Sequence, residues 1–115
     1  MLHVDTVVSG PVTMLRLDGD IDEQGVAELR KALVDCLRVK RHNVVVNMTG
    51  VKFISYMGVG ILVERLRQFR SGHGDMKLVG LNLYTQRLFR MIGVTSLFET
   101  YDSEAQAIQV YQQAA

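Results

Sequence analysis

The chain of 115 residues lacks several features that would assign it to a specialised class of protein. Its single cysteine excludes an intramolecular disulfide framework. Thirteen Lys and Arg against twelve Asp and Glu give a formal net charge of +1. This near-neutral balance lacks the basic excess that proteins binding nucleic acid or anionic membranes usually show. We therefore expect neither kind of partner.

Long apolar runs are also absent, so the sequence predicts no segment that inserts into a membrane. The first ten residues, MLHVDTVVSG, lack the basic and apolar regions of a secretory signal peptide, and we expect a cytoplasmic protein. Hydrophobic residues make up 48% and charged residues 22%, as in a globular protein with a core. No linker or repeat interrupts the chain, which predicts a single domain over residues 1–115.

Hydrophobic periodicity predicts an alternation of strands and helices. Two short strands at residues 3–8 and 12–17 flank the turn Ser9-Gly10-Pro11 and predict an antiparallel pair. Helices are predicted at residues 25–41, 55–70 and 83–92 and from Asp102 or Ser103 onward, and further strands at 43–48, 76–81 and 97–101. Asp22 and Asn82 are the predicted N-caps of the first and third helices. This order predicts a single small α/β domain with a mixed sheet of four to five strands and about four helices.

The sequence contains few groups that suggest catalysis or metal binding. His3, His42 and His73 all fall at the ends of predicted elements. Cys36 lies on the apolar side of the first helix, where a buried and inert thiol is expected. The Cys and the scattered His lack the spacing of metal ligands. We therefore predict a protein that is not an enzyme and that carries no metal and no cofactor.

Two glycines raise a nucleotide-binding alternative. Gly58 and Gly60 open a helix after a strand, as in phosphate-binding loops. However, Val63 stands where the dinucleotide fingerprint has its third glycine, and the Gly-Lys-Ser/Thr ending of a triphosphate loop is absent. Close packing of the helix start is the favoured explanation of these glycines. The acidic residues at 18–23 lack the spacing of a calcium loop and favour a turn that caps the first helix.

The start of the second predicted helix is the most informative segment. Ser55 and Tyr56 bring two hydroxyl groups to the amino end of this helix, where free N–H groups and the dipole favour negative charge, including a phosphate. At about 100° per residue, Met57 and Ile61 point away from the core face, beside Glu64. The core face comprises Val59, Leu62, Val63, Leu66 and Phe69. Two exposed apolar side chains in a polar rim predict a docking surface, although single exposed apolar residues are also ordinary.

In five segments, taken in order, the chain resembles the STAS domain, and within it the bacterial anti-sigma factor antagonists. Residues 17–22 (LDGDID) resemble the family's L-x-G-x-[IL]-D, and residues 44–51 resemble its strand that ends in D-[LM]-S-x-[VL]. Residues 53–60 (FISYMGVG) resemble its loop-to-helix signature F-[IM]-D-S-[ST]-G-[LI]-[GA]. Residues 77–93 and 97–102 are similar to its third helix and to its F-x-[IV]-[YF]-[DE] strand.

The resemblance implies a partner-switching regulator of transcription. In such a cycle the unphosphorylated antagonist binds an anti-sigma factor, a serine-protein kinase of the histidine-kinase ATPase type, and so frees a sigma factor. The kinase phosphorylates a serine at the helix start and breaks the complex, and a phosphatase restores it. For this chain we expect a partner-binding surface made of Asp20, Asp22, Ser55, Tyr56, Met57, Gly58, Ile61 and Glu64.

This chain departs from the family signature at the modification site. Tyr56 aligns with the phosphoacceptor serine, Ser55 with the aspartate before it, and Met57 with the second serine or threonine. A phenol projects its oxygen well beyond the reach of a serine hydroxyl, so a serine kinase is not expected to treat Tyr56 as an equal. Ser55 and Tyr56 remain the phosphoacceptor candidates, and a constitutive binder outside kinase control is the third outcome. Asn47 also replaces the usual aspartate at the end of the central strand.

An alternative function follows from the same resemblance. STAS proteins also serve as accessory subunits of membrane lipid or anion transporters, where they bind an ATPase instead of an anti-sigma factor. The fold and the surface would look alike in both, so only the partner discriminates between the two functions.

Overall fold

The computed structural model describes residues 1–113, which form one five-stranded sheet and four α-helices. The strands are β1 (His3–Ser9), β2 (Val12–Asp18), β3 (Asn43–Gly50), β4 (Asp75–Val79) and β5 (Thr100–Tyr101). They lie side by side in the order of the sequence. β1 pairs antiparallel with β2, and every other neighbouring pair is parallel. The prediction of a mixed sheet with an N-terminal antiparallel pair is confirmed.

The helices alternate with the parallel strands, as predicted. They are α1 (Glu23–Arg38), α2 (Tyr56–Ser71), α3 (Leu83–Ile92) and α4 (Glu104–Gln113), and a 3₁₀ helix covers Thr95–Leu97. Asp22 caps α1 by accepting the N–H of Gly25 at 2.9 Å, and Asn82 caps α3 by accepting the N–H of Thr85 at 2.8 Å. Both side chains satisfy backbone donors that a helix start leaves free. Both predicted N-caps are therefore confirmed.

The sheet separates two apolar cores of unequal size. Side chains alternate across a strand, so Leu15 and Leu17 of β2 join the larger core while Val12 and Met14 join the smaller one. Helices α1, α2 and α3 all bury residues in the larger core. Ala107 of α4 lies in the smaller core on the opposite face. α2 therefore packs against the same face of the sheet as α1 and α3, beside α1.

Polar contacts fasten α4 to its face of the sheet. Glu104 accepts two hydrogen bonds from the guanidinium of Arg16, each 2.9 Å long, and a third from the Asn47 amide at 2.9 Å. At the other end of α4, the Tyr111 hydroxyl accepts the N–H of Val44 at 3.1 Å. Burial raises the pKa of this phenol, so it remains protonated and able to donate to a backbone carbonyl.

Several predicted boundaries differ from the structure by one to three residues, and three of the differences have a visible cause. α1 ends at Arg38, three residues before the predicted end at 41, because Lys40 turns to a φ of 60°. β4 ends at Val79, two residues early, because Gly80 has a φ of 74° and leaves the extended conformation. β5 is reduced to two residues because the 3₁₀ helix occupies the start of the predicted strand.

Candidate partner-binding site

The starts of α1 and α2 lie side by side at one end of the sheet. A parallel bridge joins Ile21, in the loop before α1, to Ile54, in the loop before α2. The N–H of Ile21 donates to Phe53 O at 2.9 Å, and the N–H of Ser55 donates to Ile21 O at 2.9 Å. Both isoleucine side chains are fully buried. The acidic loop at residues 18–22 is therefore fixed next to the α2 start, although the two are distant in sequence.

Ser55 is the N-cap of α2. Its Oγ accepts the N–H of Gly58 at 3.1 Å, and the residue is half-buried. The hydroxyl thus satisfies one of the free donors of the first turn, which stabilises helices by about 1 kcal/mol in comparable cases. Ser55 is placed at the helix start as expected, with its oxygen engaged in the fold.

Gly58 has a packing role that the sequence predicted for it. A Cβ at this position would lie 2.7 Å from Cγ1 of Ile54 and 2.8 Å from Cγ2 of Ile21. The residue is buried, and its N–H is already bonded to Ser55. Gly58 is therefore a packing residue at the start of α2, and little of it is exposed to a partner.

Tyr56 and Met57 project from the first turn of α2 into solvent. Tyr56 is 66% exposed and Met57 is 59% exposed, so two large side chains with apolar surface stand next to each other in solvent. Asp20 is exposed in the neighbouring loop, and Asp22 is half-buried as the cap of α1. Glu64 is exposed two turns further along α2. We call the surface formed by Asp20, Asp22, Ser55, Tyr56, Met57 and Glu64 the tip surface.

Ile61 does not belong to the tip surface. The helical spacing predicted that it points to solvent beside Met57, but only 6% of it is exposed and it packs in the larger core. The cause is the position of α2, which packs against α1 as well as against the sheet and so buries a stripe wider than one face. The predicted exposure of Ile61 was wrong.

A second apolar area adjoins the tip surface and was not predicted. The rings of Phe53 and Tyr84 lie 5.8 Å apart, and both residues are exposed. A groove of about 380 Å³ between α2 and the end of α3 is lined by Tyr56, Val59, Gly60, Val63, Glu64, Arg67, Ile92 and Val94. The available signal was α3 itself, since its sequence LYTQRLFRMI carries more apolar residues than one buried face requires.

Asn47, at the strand position where the family has an aspartate, bridges two elements. Its Oδ1 accepts the N–H of Thr49 at 3.0 Å and the Thr49 hydroxyl at 2.7 Å, while its Nδ2 donates to Glu104. An aspartate here would place a second carboxylate against Glu104. The Asn47 amide instead donates a hydrogen bond to the Glu104 carboxylate, so asparagine at this position helps to hold α4 on the sheet.

The residues considered for catalysis or metal binding are dispersed. Cys36 is buried, and burial raises the pKa of its thiol, which keeps it in the unreactive neutral form. Within residues 1–113, no three His, Cys, Asp or Glu side chains converge in a way that could hold a metal ion. None of the helices in the described part of the chain combines the length and hydrophobicity needed to cross a bilayer.

The family model of the STAS domain matches residues 3–107, and the chain belongs to this family. An anti-sigma-B factor antagonist of Staphylococcus epidermidis is 25% identical over 96 residues, covering 84% of this chain and 89% of the relative.

Solved structures show the same fold. An anti-sigma factor antagonist from Mycobacterium paratuberculosis superposes with a TM-score of 0.86 at 18% identity, covering 96% of this chain and 93% of the other. The Bacillus cell fate determinant SpoIIAA in its phosphorylated form gives a TM-score of 0.73 at 19% identity, covering 96% and 99%. The fold expected from the resemblance is therefore confirmed.

Proposed function

We propose that this chain is a non-enzymatic regulator, an anti-sigma factor antagonist that binds an anti-sigma factor and so frees a sigma factor for transcription. The names of its relatives support this function over that of a transporter subunit. The single observation that carries the proposal is the exposed pair Tyr56 and Met57, held beside an acidic loop at the start of α2. Such a pair in a charged rim has the composition of a binding hot spot.

The tip surface supports binding by a preformed contact. Backbone hydrogen bonds through Ile21 fix the acidic loop to the start of α2, and Ser55 caps the helix. A partner therefore meets side chains whose backbone is already ordered, which lowers the entropic cost of association. Asp20 in the same surface favours a partner with basic side chains at this end.

We further propose that phosphorylation does not control this antagonist. The hydroxyl of Ser55 is half-buried and bonded to Gly58, so a kinase would have to pull it out of the helix cap. Tyr56 is accessible, but its phenolic oxygen lies further from the backbone than a serine hydroxyl. The partner is then an anti-sigma factor of the serine-kinase ATPase type, and this chain competes with the sigma factor for it. Because phosphorylation does not break the complex, no phosphatase is required.

The binding test is a calorimetric titration of the purified chain with the anti-sigma factor encoded by the same organism. We expect Met57→Asp to weaken the complex at least about tenfold, because it buries a carboxylate in an apolar contact. Val8→Asp is the matched control, since Val8 is 60% exposed on β1, away from the tip surface. Equal affinity of the wild type and Met57→Asp would refute the tip surface as the contact.

The phosphorylation test is incubation with the same kinase-type anti-sigma factor and ATP, followed by mass spectrometry. We expect no phosphate on Ser55 or Tyr56 in the wild type. In Tyr56→Ser, which restores the family's acceptor residue, we expect a phosphate at position 56. Phosphate on Ser55 of the wild type would show that the cap opens and that kinase control is retained.

A further inference from the structure

β1 forms one edge of the sheet and lacks the features that usually keep an edge strand from pairing with another chain. Edge strands are commonly short, bulged, interrupted by proline or rich in charge. β1 has seven residues that pair with β2 in unbroken register, and Asp5 carries its single formal charge. At the opposite edge, β5 has two residues. β1 is therefore a long and regular edge that a further strand can extend.

The hydrogen-bonding groups on the outer side of β1 belong to alternate residues. Antiparallel strands bond through every second residue, and the residues between point their N–H and C=O groups away from the partner strand. Ser9 faces Val12 across a two-residue turn, so bonding to β2 starts at Ser9 and continues at every second residue toward the amino end. The outward groups are consequently those of Val4, Thr6 and Val8.

A groove runs between β1 and α1, on the face of the sheet where Val4 packs against the larger core. It consists of two adjoining depressions of about 390 and 240 Å³, and Thr6, Ala32 and Asp35 line both of them. Val4 lines the larger depression, and Val8, which is 60% exposed, lines the smaller one. We call this the edge groove. Side chains alternate across a strand, so a strand added to β1 would place every second side chain over the edge groove.

The sequence of β1 is self-complementary when two copies run antiparallel about Thr6. Val4 then faces Val8 of the second copy, and Thr6 faces the same residue of the second copy. These are the positions whose main-chain groups point outward, so each facing pair can exchange both hydrogen bonds. Pairs of β-branched side chains stabilise neighbouring strands, and Asp5 faces Val7 instead of a second carboxylate. A two-fold contact between identical surfaces requires this kind of match.

The flank of α1 beside the edge groove is also self-complementary, here in charge. Its charged residues alternate in sign along the helix in the order Glu28, Lys31, Asp35 and Arg38. They are spaced symmetrically about position 33, so a second α1 that runs in the opposite direction places Arg38 against Glu28 and Asp35 against Lys31. Lys31 and Asp35 pair within the chain at 3.3 Å, and neither side chain is buried. Opposite charges that face each other across a contact fix its register.

We propose that a second copy of this chain occupies the edge groove and forms a two-fold dimer whose sheet continues from one copy into the other. β1 pairs with β1 of the second copy, and the two α1 helices lie antiparallel on one face of that sheet. One axis serves both contacts, because Thr6 at the centre of the strand lines the edge groove with Ala32 and Asp35. In the described part of the chain, no residue of the tip surface lines the edge groove. The dimer therefore leaves both tip surfaces free, and the inference does not depend on the proposed function.

The test is sedimentation velocity of the full chain at concentrations from about 1 μM to about 1 mM. We expect the wild type to shift reversibly from monomer to dimer. Lys31→Glu places a carboxylate against Asp35 of the second copy, and Asp35→Lys brings two ammonium groups together, so each variant should dimerise at least about tenfold more weakly. An equimolar mixture of the two variants should recover the dimer, because each supplies the charge that the other lacks. Melting curves followed by circular dichroism show that both variants fold.

Val8→Asp separates this contact from the contact with the anti-sigma factor. It should dimerise at least about tenfold more weakly, because it replaces an apolar cross-strand pair by a carboxylate, and it should bind the anti-sigma factor as the wild type does. Met57→Asp is the matched control, since it lies on the tip surface and should dimerise as the wild type does. An anti-sigma factor that fails to bind a dimeric wild type would refute the proposed function alone.

Three results would overturn the dimer. The first is a wild type that stays monomeric up to about 1 mM, and the second is a dimer that the charge reversals and Val8→Asp leave unchanged, because another surface would then hold it. The third is a mixture of Lys31→Glu and Asp35→Lys that stays monomeric, because the two helices would not face each other in opposite directions. A monomeric wild type together with loss of anti-sigma factor binding in Val8→Asp would assign the edge groove to a strand of that partner instead.

Discussion

Two residues of α2, four positions apart, show how far a helical pattern can place a single side chain. Met57 and Ile61 lie on the same side of an ideal helix, yet Met57 is 59% exposed and Ile61 only 6%. Met57 lies in the first turn of α2, where no other element covers it, whereas Ile61 lies one turn further along in the larger core. The helical spacing predicts the direction in which a side chain points, but it does not predict which neighbouring element covers that side chain.

The difference predicts opposite behaviour of two equivalent substitutions. Ile61→Asp places a charge in the core and should lower the free energy of unfolding by at least about 3 kcal/mol. Met57→Asp stays in water and should change it by less than about 0.5 kcal/mol. Urea denaturation followed by circular dichroism measures both. A similar midpoint for the two variants would contradict the burial of Ile61.

At the scale of helices and strands, the contacts that the sequence predicted are those between residues close together in the chain. The caps Asp22 and Asn82 are encoded within three residues of the groups they bond, so the sequence shows both partners at once. The hydrogen bonds that hold α4 on the sheet could not be predicted in this way, because Arg16 and Glu104 are 88 residues apart. The groove likewise needs α2 and α3 together. Contacts between distant segments depend on the tertiary arrangement, which the periodicity of one segment does not contain.

The two glycines of α2 provide a test at this scale. Gly60→Ala should raise the free energy of unfolding by about 0.5–1 kcal/mol, because it removes the entropic cost of glycine and creates no clash. Gly58→Ala should lower it by about 1–3 kcal/mol, because the new methyl group overlaps Ile54 and Ile21. Both values follow from urea unfolding curves. Stabilisation by Gly58→Ala would show that the isoleucines move aside without cost.

At the scale of the whole molecule, the net charge does not show how the charged residues are distributed along the chain. The value of +1 correctly describes the sum, but it combines an acidic part with a basic region at residues 52–97. The expectation that neither nucleic acid nor an anionic membrane binds was drawn from the sum alone. Counted by segment, the same sequence shows the asymmetry, and Arg67 of α2 and Arg87 and Arg90 of α3 are exposed. The position of Ser55, Tyr56 and Met57 at the start of α2 was predictable because these three residues are contiguous.

Two carboxylates that accept hydrogen bonds from other strands, Glu99 and Glu104, predict how the free energy of unfolding depends on pH. A hydrogen bond from Lys77 lowers the pKa of Glu99, and one from Arg16 lowers the pKa of Glu104, both below the ordinary 4.5. The unfolded chain therefore binds protons at these groups at a higher pH than the folded chain does. Their contribution to stability is complete above pH 4.5 and is lost as the pH falls through the lowered pKa values.

We therefore expect the free energy of unfolding to be nearly constant from neutral pH down to about 5 and to fall at lower pH. Glu104→Gln retains the shape of the side chain but cannot titrate, so its stability should fall less steeply with acid than that of the wild type. Urea unfolding at pH 7, 5, 4 and 3 measures the two slopes. Parallel slopes would mean that the acid response comes from other carboxylates and that the contact between Arg16 and Glu104 does not hold α4 in solution.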